Sequence, residues 1–322
     1  MNDNESQSQP LKFECGEPDP QALEEFSQAI KSWADATTTD DPEAAQQAAL
    51  AALTLASEEA LRNPTPDLLL RQEADELESK SKWSEAEVVR LKVLAWSETS
   101  GNFGLLARAQ MDLCGLLRLL GRFPDAGHWA GAAITSARRA ELLPLVIMAL
   151  GYEVSCALDR GNSTGALAAA AEALRLIAPG KIHDQMRAKA LTTRAKCLLA
   201  SGDSAGAALD LVASWELLKA QSGSWMMTMP GPIDAMANWW EVKSQLEERQ
   251  GKSANAQAAL AEVINYRRQA DGPFARLALA RALEKLGELS KATADLAGEE
   301  QALNEAKSIR SGLQLPPGSS GL

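Results

Sequence analysis

The chain is short of most residue types that announce chemistry. Among 322 residues there are two histidines, four cysteines and 5% aromatics. His128 and His183 stand 55 positions apart, and neither has a carboxylate or cysteine at a motif spacing. There is no G-x-x-x-x-G-K phosphate loop and no H-E-x-x-H, so nucleotide-hydrolysing and zinc-peptidase classes have nothing to rest on. Basic excess is lacking too. The formal net charge of −11 disfavours a nucleic-acid binder, whose affinity draws on lysine and arginine facing phosphate. Cys15, Cys114, Cys156 and Cys197 form no C-x-x-C pair, which reads as reduced thiols of a cytoplasmic protein. The longest apolar run, Leu142 to Leu150, is about half of the ~20 residues that span a bilayer. The polar, acidic N-terminus does not have the pattern of a secretory signal.

What is present in quantity is alanine, leucine and a recurrence. A turn residue followed five positions later by alanine occurs at Asp40/Ala45, Ser81/Ala86, Gly121/Ala126, Gly161/Ala166, Gly202/Ala207, Gly251/Ala256 and Gly287/Ala292. The turn positions are 41, 40, 40, 41, 49 and 36 residues apart. Helical apolar patterning flanks each of them, as in Leu23, Phe26, Ile30 and Trp33 of the first. A period near 40 with helix on both sides predicts helix pairs stacked into a solenoid.

Small or aliphatic residues recur nine and twelve positions past the turn: Ala130/Ala133, Ala170/Ala173, Leu211/Ser214, Leu260/Val263. Another column falls seven positions before it, including Ala74, Cys114, Val154, Ala195 and Ser244. Helices approach closely only where such side chains face one another, so these columns predict the seam of each pair. Cys114, Cys156 and Cys197 fall five or seven positions before a turn, in or near this column, and are read as small packing residues rather than metal ligands. Neighbouring units spaced by about 10 Å would also hold them too far apart to share an ion.

The glycine turn, the aromatic two residues on (Trp83, Phe123) and the small alanine resemble the tetratricopeptide repeat, with Trp240 where the family's first helix often carries tryptophan. The family's period is about 34, so the helices here are expected to be longer. The resemblance, over residues 20–312, implies an all-α, right-handed superhelical solenoid of about seven antiparallel pairs. Residues 1–19 are expected to be a disordered segment, 221–234 an irregular loop and 313–322 a tail. Ser290 to Arg310 is expected to be the polar capping helix.

In such arrays the first helix of each pair lines the concave side. The columns 13, 10, 6, 3 and 2 positions before the turn place Arg71, Arg108, Arg118, Lys189 and Lys196 on one inner strip, among neighbours such as Ser155, Asp159, Thr192, Asn238 and Glu241. Arginine can grip a carboxylate through two parallel hydrogen bonds, so the strip is a candidate site for an acidic protein segment or peptide. Ordinary solvated charge is the alternative reading of the same residues. A second candidate contact is the loop with Trp225, Met226, Met227 and Met229, whose side chains suit adaptable surfaces; folding back to plug the chain's own groove or cover a joint between units is the alternative reading. The functional expectation is a non-enzymatic, cytoplasmic protein–protein interaction scaffold with no cofactor, no metal and no membrane or nucleic-acid partner. A small-molecule sensor with a pocket under the Trp/Met loop is the rival.

Overall fold

The computed structural model describes residues 65–177, 184–220 and 230–315, and five isolated positions at 28, 31, 32, 44 and 47. The chain divides into two compact units, Met1–Gln72 and Glu73–Leu322. The expected N-terminal segment, the first expected helix pair, the Trp225–Met229 stretch and most of the tail lie outside the described residues.

Those residues form twelve helices and no strand. In order they are α1 (Pro66–Ser79) and α2 (Trp83–Thr99), α3 (Phe103–Leu119) and α4 (Phe123–Arg139), α5 (Leu143–Asp159) and α6 (Ser163–Leu176), α7 (Asp184–Ser201) and α8 (Ser204–Ala220), α9 (Pro230–Arg249) and α10 (Ser253–Arg267), and α11 (Pro273–Ala292) and α12 (Leu296–Leu313). Six pairs thus follow one another. The irregular stretch expected to reach 234 ends sooner, because Pro230 opens α9. Proline suits a first helical position, where its missing N–H would have had no partner.

One turn geometry joins the helices of every pair. The turn residue has positive φ: Ser81 59°, Gly121 76°, Gly161 72°, Gly202 94°, Gly251 73° and Ala294 61°. The N–H of the next residue reaches back to the carbonyl five positions earlier, as from Arg122 to Leu117 at 2.9 Å and from Asn162 to Ala157 at 2.8 Å. This is the six-to-one closure of a left-handed helix stop, which glycine adopts without steric cost. The helix that follows is then capped at α6, α8 and α12 by a side chain: Asn162 accepts from the Gly165 N–H at 2.9 Å, Asp203 from the Gly206 N–H at 2.8 Å and Asp295 from the Gly298 N–H at 3.0 Å.

The last pair corrects the sequence reading. Gly287 is not a turn but lies inside α11, and the chain reverses at Ala294. The polar capping helix therefore begins at Leu296 rather than Ser290. Counted from Ala294, Gly287 falls seven positions before the turn, in the seam column. A β-carbon there would meet the Leu303 side chain of α12 at 2.9 Å. Where this pair has Glu299 in place of the post-turn alanine, the small residue sits on the opposite helix.

Elsewhere the alanine column does what its size allows. Ala86, Ala126, Ala166, Ala207 and Ala256 are wholly buried. Ser214 and Ser244 stand in seam positions because each hydroxyl finds a carbonyl, Ala188 and Ala256 respectively, at 2.9 Å. Arg90 takes a seam position in the first pair, where Glu78 accepts from it at 2.9 Å and Asp75 and Asp112 flank it. A second correction concerns the cysteines. The Cys114 and Cys156 sulfurs lie 3.5 Å apart, because facing side chains bridge the gap between helix axes. Their mutual hydrogen bond and their burial push the Cys114 thiol well above its ordinary range, and burial lifts Cys197 to about 11. Among the described residues no cluster of three or more His, Cys, Asp or Glu is arranged to hold a metal.

The array also closes on itself. Leu277 of α11 and Leu313 of α12 share one core with Trp83 and Ala86 of α2 and with Leu116 and Leu119 of α3. The Trp83 indole N–H donates to the Leu313 carbonyl at 3.0 Å. Phe274, at the start of α11, lies over Gly115, whose missing side chain leaves room for the ring 3.5 Å from where a β-carbon would be. The sixth pair therefore packs against the first two, and this contact has no counterpart in the repeat.

Candidate binding site on the inner helices

The odd-numbered helices carry the inner columns, and the structure gives each predicted cation its surroundings. Arg71, in the N-terminal unit, lies 3.5 Å from Asp67. Arg108 is half exposed and donates to Asp112, one turn along α3, at 3.0 Å. Arg118 reaches from α3 to Asp159 on α5 at 2.6 Å. Lys196 on α7 donates to Glu241 on α9 at 2.9 Å. Lys189 makes no hydrogen bond or ion pair with any described residue; burial lowers its pKa and nearby Asp234 partly restores it. The strip is thus not a row of free cations. Four of its five members are already matched by carboxylates of the same chain.

The expected long open groove is also interrupted, since Phe274 and Leu277 seat α11 on α3. What remains is a set of polar cavities. One, of about 180 Å³, lies between α5, α7 and α9 and is bounded at one side by Arg118. Ser155, Asp159, Thr192, Lys196, Asn238 and Glu241 line it, all of them from the inner columns. A second, of about 530 Å³, is lined by Asp234, Asn238, Arg267, Asp271 and Phe274. Asn238 borders both. A third, of about 60 Å³, lies on the other side of the Arg118–Asp159 pair, against Phe123, Phe274, Leu277 and Arg281. A further cleft, of about 480 Å³, opens between α10, α11 and α12 and shares no residue with these cavities.

Electrostatics ties the cavities together. Burial disfavours the charge on Glu241, yet Lys196, Arg267 and Arg281 together hold its carboxyl below the usual range. Arg267 is buried and donates to Asp234 at 2.6 Å and to Asn238 at 2.5 Å. Of the strip, Arg118 and Lys196 come together on one cavity, whereas Arg108 stands away from it. Sequence reading missed Arg267, on a second helix, and Arg281. Arg281 could have been found: counted from the true turn at Ala294 it occupies the same column as Arg108, Lys189 and Asn238.

The Trp225–Met229 candidate lies outside the described residues. Nearby, Trp215, Trp239 and Trp240 pack ring against ring with centroids 4.6 to 5.9 Å apart. The Trp239 N–H donates to the Leu211 carbonyl at 2.9 Å. A G-x-S-x-G motif was not expected, yet two stretches spell it, Gly161–Gly165 and Gly202–Gly206. Their serines, Ser163 and Ser204, open outer helices after a helix, not after the strand that a nucleophile elbow requires.

No protein-family model matches this sequence, and no curated protein matches it. Solved structures do. BtubC (BKLC) from P. vanneervenii is 16% identical over 74% of this chain and 97% of its own, with a TM-score of 0.50. The apo form of RapI is 11% identical over 91% of this chain and 99% of its own, with a TM-score of 0.57. The fold is a TPR-like helical repeat. Identities this low carry the architecture alone. In this TPR-like array no described helix is long and apolar enough to cross a membrane.

Proposed function

We propose that the TPR-like array is a non-enzymatic scaffold of the cytoplasm that binds a peptide or an extended segment of a partner protein on its inner helices. One observation carries the reading: two adjoining cavities share Asn238 and are lined by donors and acceptors of both kinds. Ser155, Thr192 and Asn238 supply neutral groups, and the Arg118–Asp159 and Lys196–Glu241 pairs supply charge without a net excess. A peptide backbone, with alternating N–H and C=O, suits such a lining better than a uniformly acidic guest does. The guest's acidic character then rests on the cations that lack a carboxylate of their own.

Selection of peptides from a displayed random library against the full chain, followed by anisotropy titration of the winners, tests the reading. Asn238→Leu fills the junction of the cavities and leaves Arg267 its bond to Asp234. It is expected to weaken binding by about tenfold or more, the cost of stranding a polar group, with the helical circular dichroism unchanged. Equal affinities for the two proteins, or no selected peptide at all, would overturn it.

A further inference from the structure

Three guanidinium groups approach one another where α11 crosses α3, and two have their own counter-charge. Arg118 is held by Asp159 at 2.6 Å, and Arg310 of α12 by Glu284, with one contact at 2.7 Å. Arg281, half-buried on α11, makes no hydrogen bond or ion pair with any described residue, and its Nε is buried without an acceptor. It borders the 60 Å³ cavity whose other walls are Arg118, Asp159, Leu119, Phe123, Phe274 and Leu277. Burial first, then repulsion from Arg310 and Arg118, pulls the Arg281 pKa down, with Asp159 and Glu241 opposing. A cation withdrawn from water with no partner is costly in a folded protein.

We propose that this cavity takes a single carboxylate group, with Arg281 as its cation. The charge count selects the class. Arg118 and Asp159 cancel, as do Arg310 and Glu284, and Lys196 and Glu241, which leaves one positive charge. A monoanion balances it, whereas a dianionic phosphate would face Asp159 with too few donors. Size agrees: 60 Å³ is room for about two waters or one carboxylate. The aromatic and leucine walls fit the carbon that bears it. The carboxylate could belong to an acidic side chain or C-terminus of a bound peptide, or to a free carboxylic acid. The inference rests on the inner face being the binding surface proposed above.

The test uses the full chain, Arg281→Gln, and Arg108→Gln as a control for an exposed inner-column cation. Thermal midpoints are measured in sodium propionate and in sodium chloride at equal ionic strength. Affinities are measured for alanine pentapeptides with a free C-terminus, with one glutamate and an amidated end, and with neither. Propionate is expected to raise the midpoint of the native chain and of Arg108→Gln, and to leave Arg281→Gln where chloride leaves it. At least one carboxylate-bearing peptide is expected to lose about tenfold in affinity on Arg281→Gln, as a charge-assisted pair would. Arg281-dependent response to propionate with no peptide binding keeps this inference, assigns the free acid and sinks the peptide reading. Peptide binding that is equal in the native chain and Arg281→Gln sinks this inference alone. A propionate response no larger than that to chloride, or one that survives Arg281→Gln, overturns it.

Discussion

The seams within the helix pairs and the closure of α11 and α12 onto α2 and α3 bury apolar surface in opposite ways. A seam is made of small residues at fixed distances from a turn, repeated from pair to pair, and it joins neighbours in sequence. The closure is made once, from large residues: Trp83, Leu116, Leu119, Leu277 and Leu313. It joins segments that are some 200 positions apart, as the Trp83–Leu313 bond shows with its separation of 230. A seam fixes how close two helices lie, whereas the closure narrows the inner hollow. Mutations should separate the two.

The largest effect is expected at the closure. Leu116→Ala empties a wholly buried site and should cost about 2–5 kcal/mol. Hydrogen exchange should rise first in α11 and α12, while the α5–α6 seam stays protected. Uniform loss of protection would show that closure and seams are one cooperative unit. Next, Ala133→Leu overfills a seam where the native side chain is fully buried. A loss of about 1–3 kcal/mol in urea unfolding is expected, and a neutral result would mean that the columns do not set the helix spacing.

A smaller effect concerns the interior charges. Glu241 is held below its usual value near 4.5, so the native state binds that proton less readily than the unfolded chain. Its contribution is therefore present above about pH 4.5 and is lost as the pH falls through the lowered value. Lys196→Met removes one of the groups holding Glu241 down. The variant should be less stable than the native chain at pH 7, and the difference should shrink as the pH falls through the lowered value. Equal stabilities at pH 7, or a difference that does not change in acid, would show that Lys196 does not act on Glu241. The smallest effect is at a turn: Ala294 has φ 61°, and Ala294→Gly should gain up to about 1 kcal/mol once left-handed strain and glycine entropy are set against each other. Gly251→Ala should move the thermal midpoint the other way.

The repeat was legible because turns and seams are local: a left-handed stop and a small residue nearby leave their mark within a few positions. Gly287 shows the limit. Read by spacing, it looks like another turn glycine, and only the packing of Leu303 against it reveals a seam residue. The inner columns were legible as positions, which is why Arg118, Ser155, Asp159, Thr192, Lys196, Asn238 and Glu241 share a cavity. Their pairing was not, because Arg118–Asp159 and Lys196–Glu241 are 41 and 45 positions apart and no local pattern says which carboxylate a cation meets.

Helix, turn and seam follow from the order of residues alone, since each depends on neighbours about one helix length away and recurs often enough to be counted. Which inner charges are neutralised, where the hollow is shut and which guanidinium is left over were decided only by the folded chain. Those outcomes depend on how far six successive pairs rotate before the last meets the first, a sum of small angles that no single residue encodes.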